Sequence, residues 1–178
     1  VSRSYKNAKT LLENCNFDLN FHAMDARAYV KSTVNTYNYI FLDAFTPSKC
    51  PALWTVQFFS ELYSKMEDDG IILTYSSSVA VRNAFLQNGF FVGKIYDSEL
   101  KKFVGTIASK DSNLIEYPLD AHDFELINSR AGICYKDENL NLNDSEILNN
   151  REAEVASSNL ISSSKVLKGQ KEENANSL

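Results

Sequence analysis

The segment with the most chemical promise is the loop 41–55, Phe-Leu-Asp-Ala-Phe-Thr-Pro-Ser-Lys-Cys-Pro-Ala-Leu-Trp-Thr. It places an acid, Asp43, directly after an apolar run and holds two aromatic residues, Phe45 and Trp54. A carboxylate at a strand end can bind a ligand's ammonium group and accept its proton, and an aromatic ring can offer a face to a base or a cation. The same pattern also fits a capping acid with two packed rings, so both interpretations stay open here.

The histidines, cysteines and serines of the chain do not lie in sequence patterns that predict a comparable site. His22 and His122 are the only histidines, and neither has a cysteine or carboxylate at the spacing of a metal site. The three cysteines are scattered and odd in number, which argues against a zinc site or a disulfide framework and fits a reducing compartment. Ser76–Ser78 lacks the Gly-x-Ser-x-Gly elbow of a hydrolase and is expected to cap a helix. We therefore expect no metal, and a hydrolase is a remote alternative.

Length and composition indicate one domain. The chain has 178 residues, 44% of them hydrophobic, which is enough for one core. No apolar run approaches the roughly 20 residues of a membrane span, and the first residues lack the order of a signal peptide. We expect a cytoplasmic protein with no membrane partner. The net charge of −5 argues against a protein whose whole surface binds phosphates. A modest basic face is nevertheless expected around the late strands, from Arg82, Lys94, Lys101, Lys102 and Lys110.

Apolar spacing predicts alternating strands and helices. The elements predicted in chain order are a helix at 5–14, a strand at 17–24, a helix at 26–31, a strand at 37–43, a helix at 52–68, a strand at 71–75, a helix ending near 88, and two strands at 90–96 and 103–109. The strand at 37–43 is predicted to be buried on both faces, as parallel strands are. Asp25 is expected to cap the second helix.

This order is that of a doubly wound α/β sheet that ends in an antiparallel hairpin. Ligands in such sheets bind outside the carboxyl ends of the parallel strands. Asp25, Asp43 and Ser76–Ser78 all follow predicted strands, so we expect them to share one edge of the sheet. Residues 1–136 would form this domain. Residues 137–178 would be a polar extension, largely disordered after about residue 157, because its composition buries too little apolar area.

Three blocks of the sequence carry a family resemblance. The loop 42–55 looks like the signature Asp-[Gly/Ala]-Phe-x-Pro-x-Lys-x-Pro-x-x-Trp, with Cys50 where Asn is more usual. The segment 74–90 is similar to a block in which a Ser-rich turn leads to Val-Arg and ends in Gly-Phe, and residues 101–109 with 130–135 look like closing blocks. Together they resemble the MnmC-like methyltransferases of bacterial tRNA wobble-uridine modification. The resemblance runs from about residue 16 to residue 135.

The resemblance implies a Rossmann-like methyltransferase fold with S-adenosylmethionine as cofactor. It implies that Asp43 is the essential acid at the reacting amine, that Asp25 contacts the adenine side of the cofactor beside Ala26, and that Asp43 and Ala44 border the cofactor. The residues that it places at the substrate are Phe45, Pro47, Lys49, Trp54, Ser77 and Lys102. The implied partner is the anticodon loop of tRNA, methylated on the aminomethyl nitrogen of wobble uridine 34, which a separate oxidase or precursor-making enzyme would prepare.

The sequence departs from the family in one respect. Its six glycines form no Gly-x-Gly turn after a first strand, and no acidic strand end is present for the ribose hydroxyls. We interpret the first strands of the sheet as missing, through N-terminal truncation, although Val1 also fits a literally translated alternative start codon. The alternatives are a non-catalytic remnant or tRNA-binding module without the cofactor loop, and a methyltransferase of the same fold acting on a small molecule or a protein.

Overall fold

The computed structural model describes residues 20–168, so the predicted helix at 5–14 and the start of the predicted strand at 17–24 lie outside it. The strands are β1 (Tyr37–Phe41), β2 (Met66–Thr74), β3 (Phe91–Asp97) and β4 (Lys102–Ser109). The helices are α1 (Ala26–Ser32), α2 (Val56–Ser64), α3 (Val79–Gln87), α4 (Ala121–Ile127) and α5 (Asp144–Ser157), with a further short helix at 163–168. Short 3-10 turns lie at Pro51–Trp54, Ser112–Leu114 and Arg130–Gly132.

The four strands form one mixed sheet in the order β1-β2-β4-β3. β1 and β2 are parallel, with Tyr39 opposite Ile71 and Phe41 opposite Leu73. β4 is antiparallel to β2 and to β3, which confirms the predicted closing pair. Parallel strands joined by a helix, followed by an antiparallel hairpin, give the expected α/β architecture.

One face of the sheet holds the core, and the other carries exposed aromatic rings. α2 and α3 bury Phe59 and Phe85, whose rings stack at 4.0 Å between centroids, near the buried Ile72 of β2. On the opposite face, Tyr39 and Phe41 of β1 are 63% and 74% exposed. The prediction that this strand is buried on both faces was wrong, because within residues 20–168 no element covers the face that carries Tyr39 and Phe41.

The start of α2 and the start of β2 differ from their predicted positions. The chain through Pro51–Trp54 forms a 3-10 turn, and α2 begins only at Val56 because the Thr55 side chain caps it, accepting a hydrogen bond from the backbone N–H of Phe58 at 3.2 Å. β2 begins at Met66, five residues before its predicted start, because Tyr37 of β1 pairs with Met66.

The region around Asp25 is only partly as predicted. Asp25 caps α1 as expected, accepting a hydrogen bond from the backbone N–H of Arg27 at 2.8 Å. Residues 20–24, however, are not in a strand. A strand needs a hydrogen-bonded neighbour, and the sheet described for residues 20–168 has its edge at β1.

Residues beyond 136 pack against the rest of the domain. Ile147 of α5 is fully buried, and Asp144 at the start of α5 accepts a hydrogen bond from the backbone N–H of Ala52 at 3.4 Å. Further on, the backbone N–H of Arg130 donates to the carbonyl of Ile161 at 2.9 Å. The domain boundary at residue 136 and the disorder expected after about residue 157 stay predictions. Among the helices described, none is long and apolar enough to cross a membrane.

The stacked pair of Phe59 and Phe85 gives a stability prediction. Phe59→Ala should lower the free energy of unfolding by about 3–5 kcal/mol, because a fully buried ring leaves a cavity that the packed helices cannot fill. Denaturant unfolding followed by circular dichroism measures the change. Phe91→Ala is the matched control, since that ring is 49% exposed and its loss should cost much less. Equal losses for both variants would contradict this account of the core.

Candidate functional site

Asp43 lies at the carboxyl end of β1, beside the turn that follows β2. The two strands are parallel, so their ends at Phe41 and Thr74 meet at one edge of the sheet. Asp43 is exposed and lines a cavity of about 430 Å³. The other residues that line this cavity are mainly apolar: Phe41, Leu42, Leu73, Thr74, Tyr75, Ile95 and Val104. The cavity therefore offers a ligand one carboxylate in an otherwise apolar surrounding.

Two side-chain donors hold the loop that follows Asp43. The hydroxyl of Tyr75 donates to the carbonyl of Ala44, and Trp54 Nε1 donates to the carbonyl of Phe45 at 2.8 Å. Trp54 is fully buried, whereas the ring of Phe45 is 75% exposed. Trp54 therefore anchors the loop from inside, and of the two aromatic residues only Phe45 has a ring face open to a ligand.

A buried polar chain holds the turn after β2. The carbonyl of Ser76 accepts a hydrogen bond from Thr106 Oγ1 at 2.7 Å. Thr106 Oγ1 in turn accepts a hydrogen bond from Arg82 Nε at 3.1 Å. Arg82 in turn pairs with Asp123 at 2.9 Å. Burial lowers the pKa of the Arg82 guanidinium, and the neighbouring carboxylate of Asp123 opposes that shift. The exposed Ser77 therefore follows Ser76, whose backbone carbonyl is held by buried side chains.

A second cavity, of about 370 Å³, is bounded by the end of the same loop. Its lining comes from three segments: Asp25, Ala26 and Arg27 at the start of α1, Cys50, Ala52 and Leu53 in the loop, and Leu142, Asn143 and Asp144 at the start of α5. The hydrogen bond from the Arg27 side chain lowers the pKa of Asp25. Burial raises the pKa of the Cys50 thiol, and the charge of Asp144 adds to that effect. Apolar walls with a few carboxylates suit a planar base that carries N–H donors.

The remaining predicted site residues lie outside the linings of these two cavities. Pro47 and Lys49 lie in the loop, where the backbone N–H of Lys49 donates to the carbonyl of Thr46 at 2.8 Å. Lys102 is opposite Asp97 at the tip of the β3–β4 hairpin and is exposed. The structure therefore places Asp25 with Ala26 in one cavity and Asp43 in the other. Ala44 and Phe45 lie in the loop that leads from Asp43 to Cys50, which lines the cavity of Asp25.

Sequence reasoning missed several residues at the site. Tyr75 directly precedes the Ser-rich turn at the end of β2, so the strand-end rule that pointed to Asp43 also applies to it. Arg27 follows the predicted cap Asp25 by two residues, but no local sequence pattern indicates which residues its side chain contacts. Asn143 and Asp144 lie more than 100 residues after Asp25 in sequence, and no local pattern predicts that they line the same cavity.

A family model and curated relatives match this chain. A family model described as S-adenosyl-L-methionine-dependent methyltransferase matches residues 2–110. An uncharacterized protein of Methanocaldococcus jannaschii is 32% identical over 136 residues, which is 76% of this chain and 38% of that relative. A protein of Burkholderia vietnamiensis, named tRNA 5-methylaminomethyl-2-thiouridine biosynthesis bifunctional protein MnmC, is 34% identical over 71 residues, 40% of this chain and 11% of that protein.

A solved structure supports the fold. The crystal structure of MnmC2 from Aquifex aeolicus is similar with a TM-score of 0.72 and 27% sequence identity, covering 89% of this chain and 54% of that one. The predicted Rossmann-like methyltransferase fold is thereby confirmed. The chain spans about half the length of this structure and 38% of the archaeal relative.

The hydrogen bond from Tyr75 to Ala44 gives a prediction for the loop. In Tyr75→Phe, amide hydrogens of residues 44–50 should exchange about five-fold faster, because one net hydrogen bond contributes about 1 kcal/mol against local opening. Hydrogen exchange followed by mass spectrometry measures this. Tyr39→Phe is the control, since it makes the same change on a ring that is 63% exposed on β1. Unchanged exchange in Tyr75→Phe would show that this hydroxyl does not hold the loop.

Proposed function

Because this chain belongs to the S-adenosyl-L-methionine-dependent methyltransferases, as an MnmC-like member, we propose that it methylates the aminomethyl nitrogen of wobble uridine 34 in tRNA. The observation that carries the proposal is the place of Asp43, an exposed carboxylate in an otherwise mainly apolar cavity at the carboxyl ends of two parallel strands. The printed name of the Burkholderia relative refers to 5-methylaminomethyl-2-thiouridine in tRNA, which supports the substrate class.

Asp43 has the chemistry that an amine substrate needs. When bound, S-adenosylmethionine supplies an electrophilic methyl group, and the attacking nitrogen must present a free lone pair roughly 3 Å away. The carboxylate of Asp43 binds the ammonium form of the aminomethyl group and accepts its proton. Leu73, Ile95 and Val104 place apolar side chains beside that nitrogen, which lowers the local polarity and strengthens the ionic contact.

The second cavity fits the adenine end of the cofactor. Asp25 accepts N–H groups, Ala26 and Leu53 supply apolar contact, and the cavity volume of about 370 Å³ is within the range of small-molecule sites. Ala44, which follows Asp43 in the connecting loop, borders the cofactor between the two cavities. No glycine-rich Gly-x-Gly turn occurs between residues 20 and 168, so these residues account for the base and methyl ends of the cofactor only.

The tRNA contacts come from the exposed side chains around Asp43. The open ring of Phe45 stacks on an unpaired anticodon base, as aromatic rings do in single-strand binding. Pro47, Lys49 and Ser77 contact the loop next to it, the buried Trp54 shapes the pocket from behind, and Lys102 meets a phosphate from the hairpin. A separate oxidase or precursor-making enzyme provides the aminomethyl group, and the reaction takes place in the cytoplasm.

Substitution of Asp43 tests the proposal. Asp43→Asn should lower the rate of methyl transfer by about 10²–10⁴-fold, because the amide accepts no proton from the amine. The assay follows labelled methyl from S-adenosylmethionine into tRNA that carries 5-aminomethyluridine. Asp68→Asn is the control, an equal change at a fully exposed carboxylate of β2. Near-normal transfer by a folded Asp43→Asn variant would refute the role of Asp43.

The same assay separates the alternative function. If the unchanged chain transfers no methyl group but still binds the anticodon stem-loop in a filter-binding measurement, it is a tRNA-binding module and not an enzyme. Transfer to a small amine or a protein, with none to tRNA, would instead indicate a different methyltransferase substrate on the same fold.

A further inference from the structure

One wall of the second cavity comes from a part of the chain that the family model does not include. That model ends at residue 110, whereas Leu142, Asn143 and Asp144 line the cavity together with Asp25. These three residues lie at the beginning of α5, so their position depends on how the segment before α5 is held.

Arg27 joins this segment to the start of α1. Its Nη2 pairs with Asp25 at 2.9 Å, and its Nη1 pairs with Asp137 at 2.9 Å. The same Nη1 donates to the carbonyl of Leu142 at 2.8 Å. The side chain of Arg27 is only 14% exposed and that of Asp137 is fully buried. One guanidinium therefore bridges a carboxylate of the cavity wall and a buried carboxylate of the later segment.

Asp137 also shapes the chain that leads into α5. Its Oδ1 accepts hydrogen bonds from the backbone N–H groups of Asn141 at 3.0 Å and Leu142 at 3.2 Å. Its own backbone N–H donates to Gln57 Oε1 at 2.8 Å. Because a buried carboxylate that loses its cation is strongly disfavoured, the positions of Asp25, Arg27 and Leu142 are coupled.

We propose that Arg27 and Asp137 are positioning residues of the cofactor site, which hold Asp25 and the segment Leu142–Asp144 as two walls of the pocket that takes the adenine end of S-adenosylmethionine. This inference rests on the proposed function. Neither residue touches the reacting atoms, so both act through the walls that they hold in place.

The charges of this pocket fit an adenosyl group that lacks phosphates. Asp25 and Asp144 both line it, and carboxylates accept N–H donors such as the exocyclic amine of adenine. The single guanidinium of Arg27 is already shared between Asp25 and Asp137. Within residues 20–168, the cavity lining has no cation other than Arg27, so a phosphate would meet carboxylates there and a nucleotide polyphosphate is disfavoured.

Two variants and one control test the proposal. Asp137→Asn keeps the size of the side chain and removes its charge, and Arg27→Lys keeps the charge but loses the fork that reaches two carboxylates. Both should weaken the binding of S-adenosylhomocysteine, and of adenosine alone, by about ten-fold, as expected when a charged hydrogen bond is lost. Calorimetric titration of the full 178-residue chain measures both affinities.

The control is Glu154→Gln, which breaks the exposed pair of Lys136 and Glu154 at 2.8 Å in the same part of the chain, outside the cavity lining. It should leave both affinities unchanged. Thermal unfolding of each variant shows whether the titrated protein is folded. If Asp137→Asn does not fold, the titration of Arg27→Lys tests the proposal. Because adenosine lacks the amino-acid part of S-adenosylhomocysteine, weaker binding of adenosine indicates a displaced adenine wall and not a change at the methyl end.

Each outcome has one meaning. Ten-fold weaker binding by the folded variants, with an unchanged control, supports the positioning role. Wild-type affinity in folded Asp137→Asn and Arg27→Lys overturns that role and leaves the proposed function intact. Failure of the unchanged chain to bind S-adenosylhomocysteine or adenosine overturns both.

Discussion

The parallel pairing of β1 with β2 is the constraint on which the site depends. The backbone N–H of Leu42 donates to the carbonyl of Leu73 at 2.9 Å, and this register brings the ends of both strands to the same edge. Asp43 and the turn at Ser76 become neighbours for that reason, and Tyr75 can reach the carbonyl of Ala44. A slip of one residue would turn every side chain of β2 to the opposite face of the sheet and remove this contact.

A buried charged pair then fixes one of the two loops that the strands bring together, the turn after β2. Arg82 and Asp123 hold Thr106, which holds the turn after β2 through the carbonyl of Ser76. Such pairs contribute little net stability, but removing one partner leaves an uncompensated charge in the interior. Their effect is to restrict the backbone to one arrangement, which a site with a single reactive carboxylate requires.

Local sequence patterns predicted most helices and strands correctly but did not predict how they pack against one another. The cap at Asp25, the closing β3–β4 pair and the place of Asp43 after a strand all follow from residues adjacent in sequence. The burial of Trp54 and the exposure of Phe41 depend instead on which elements pack against them, and the sequence around each residue does not contain that information.

The contact of Arg27 with Asp137 shows the same limit most clearly, because 110 residues separate the two side chains. An arginine two residues after a helix cap ordinarily lies on a solvated surface. An aspartate in a polar C-terminal segment gives no sign that it is fully buried. Only the three-dimensional path of the chain between residues 110 and 144 brings them together, so the residues of the second cavity could be predicted only in part.

The most direct measurement is a crystal structure of this chain with S-adenosylhomocysteine and an anticodon stem-loop that carries 5-aminomethyluridine. We expect the adenine in the cavity of Asp25 and Asp144, and the aminomethyl nitrogen about 3 Å from a carboxylate oxygen of Asp43. Adenine bound elsewhere, for example in the cavity lined by Cys134 and Arg151, or a uridine remote from Asp43, would contradict this proposal.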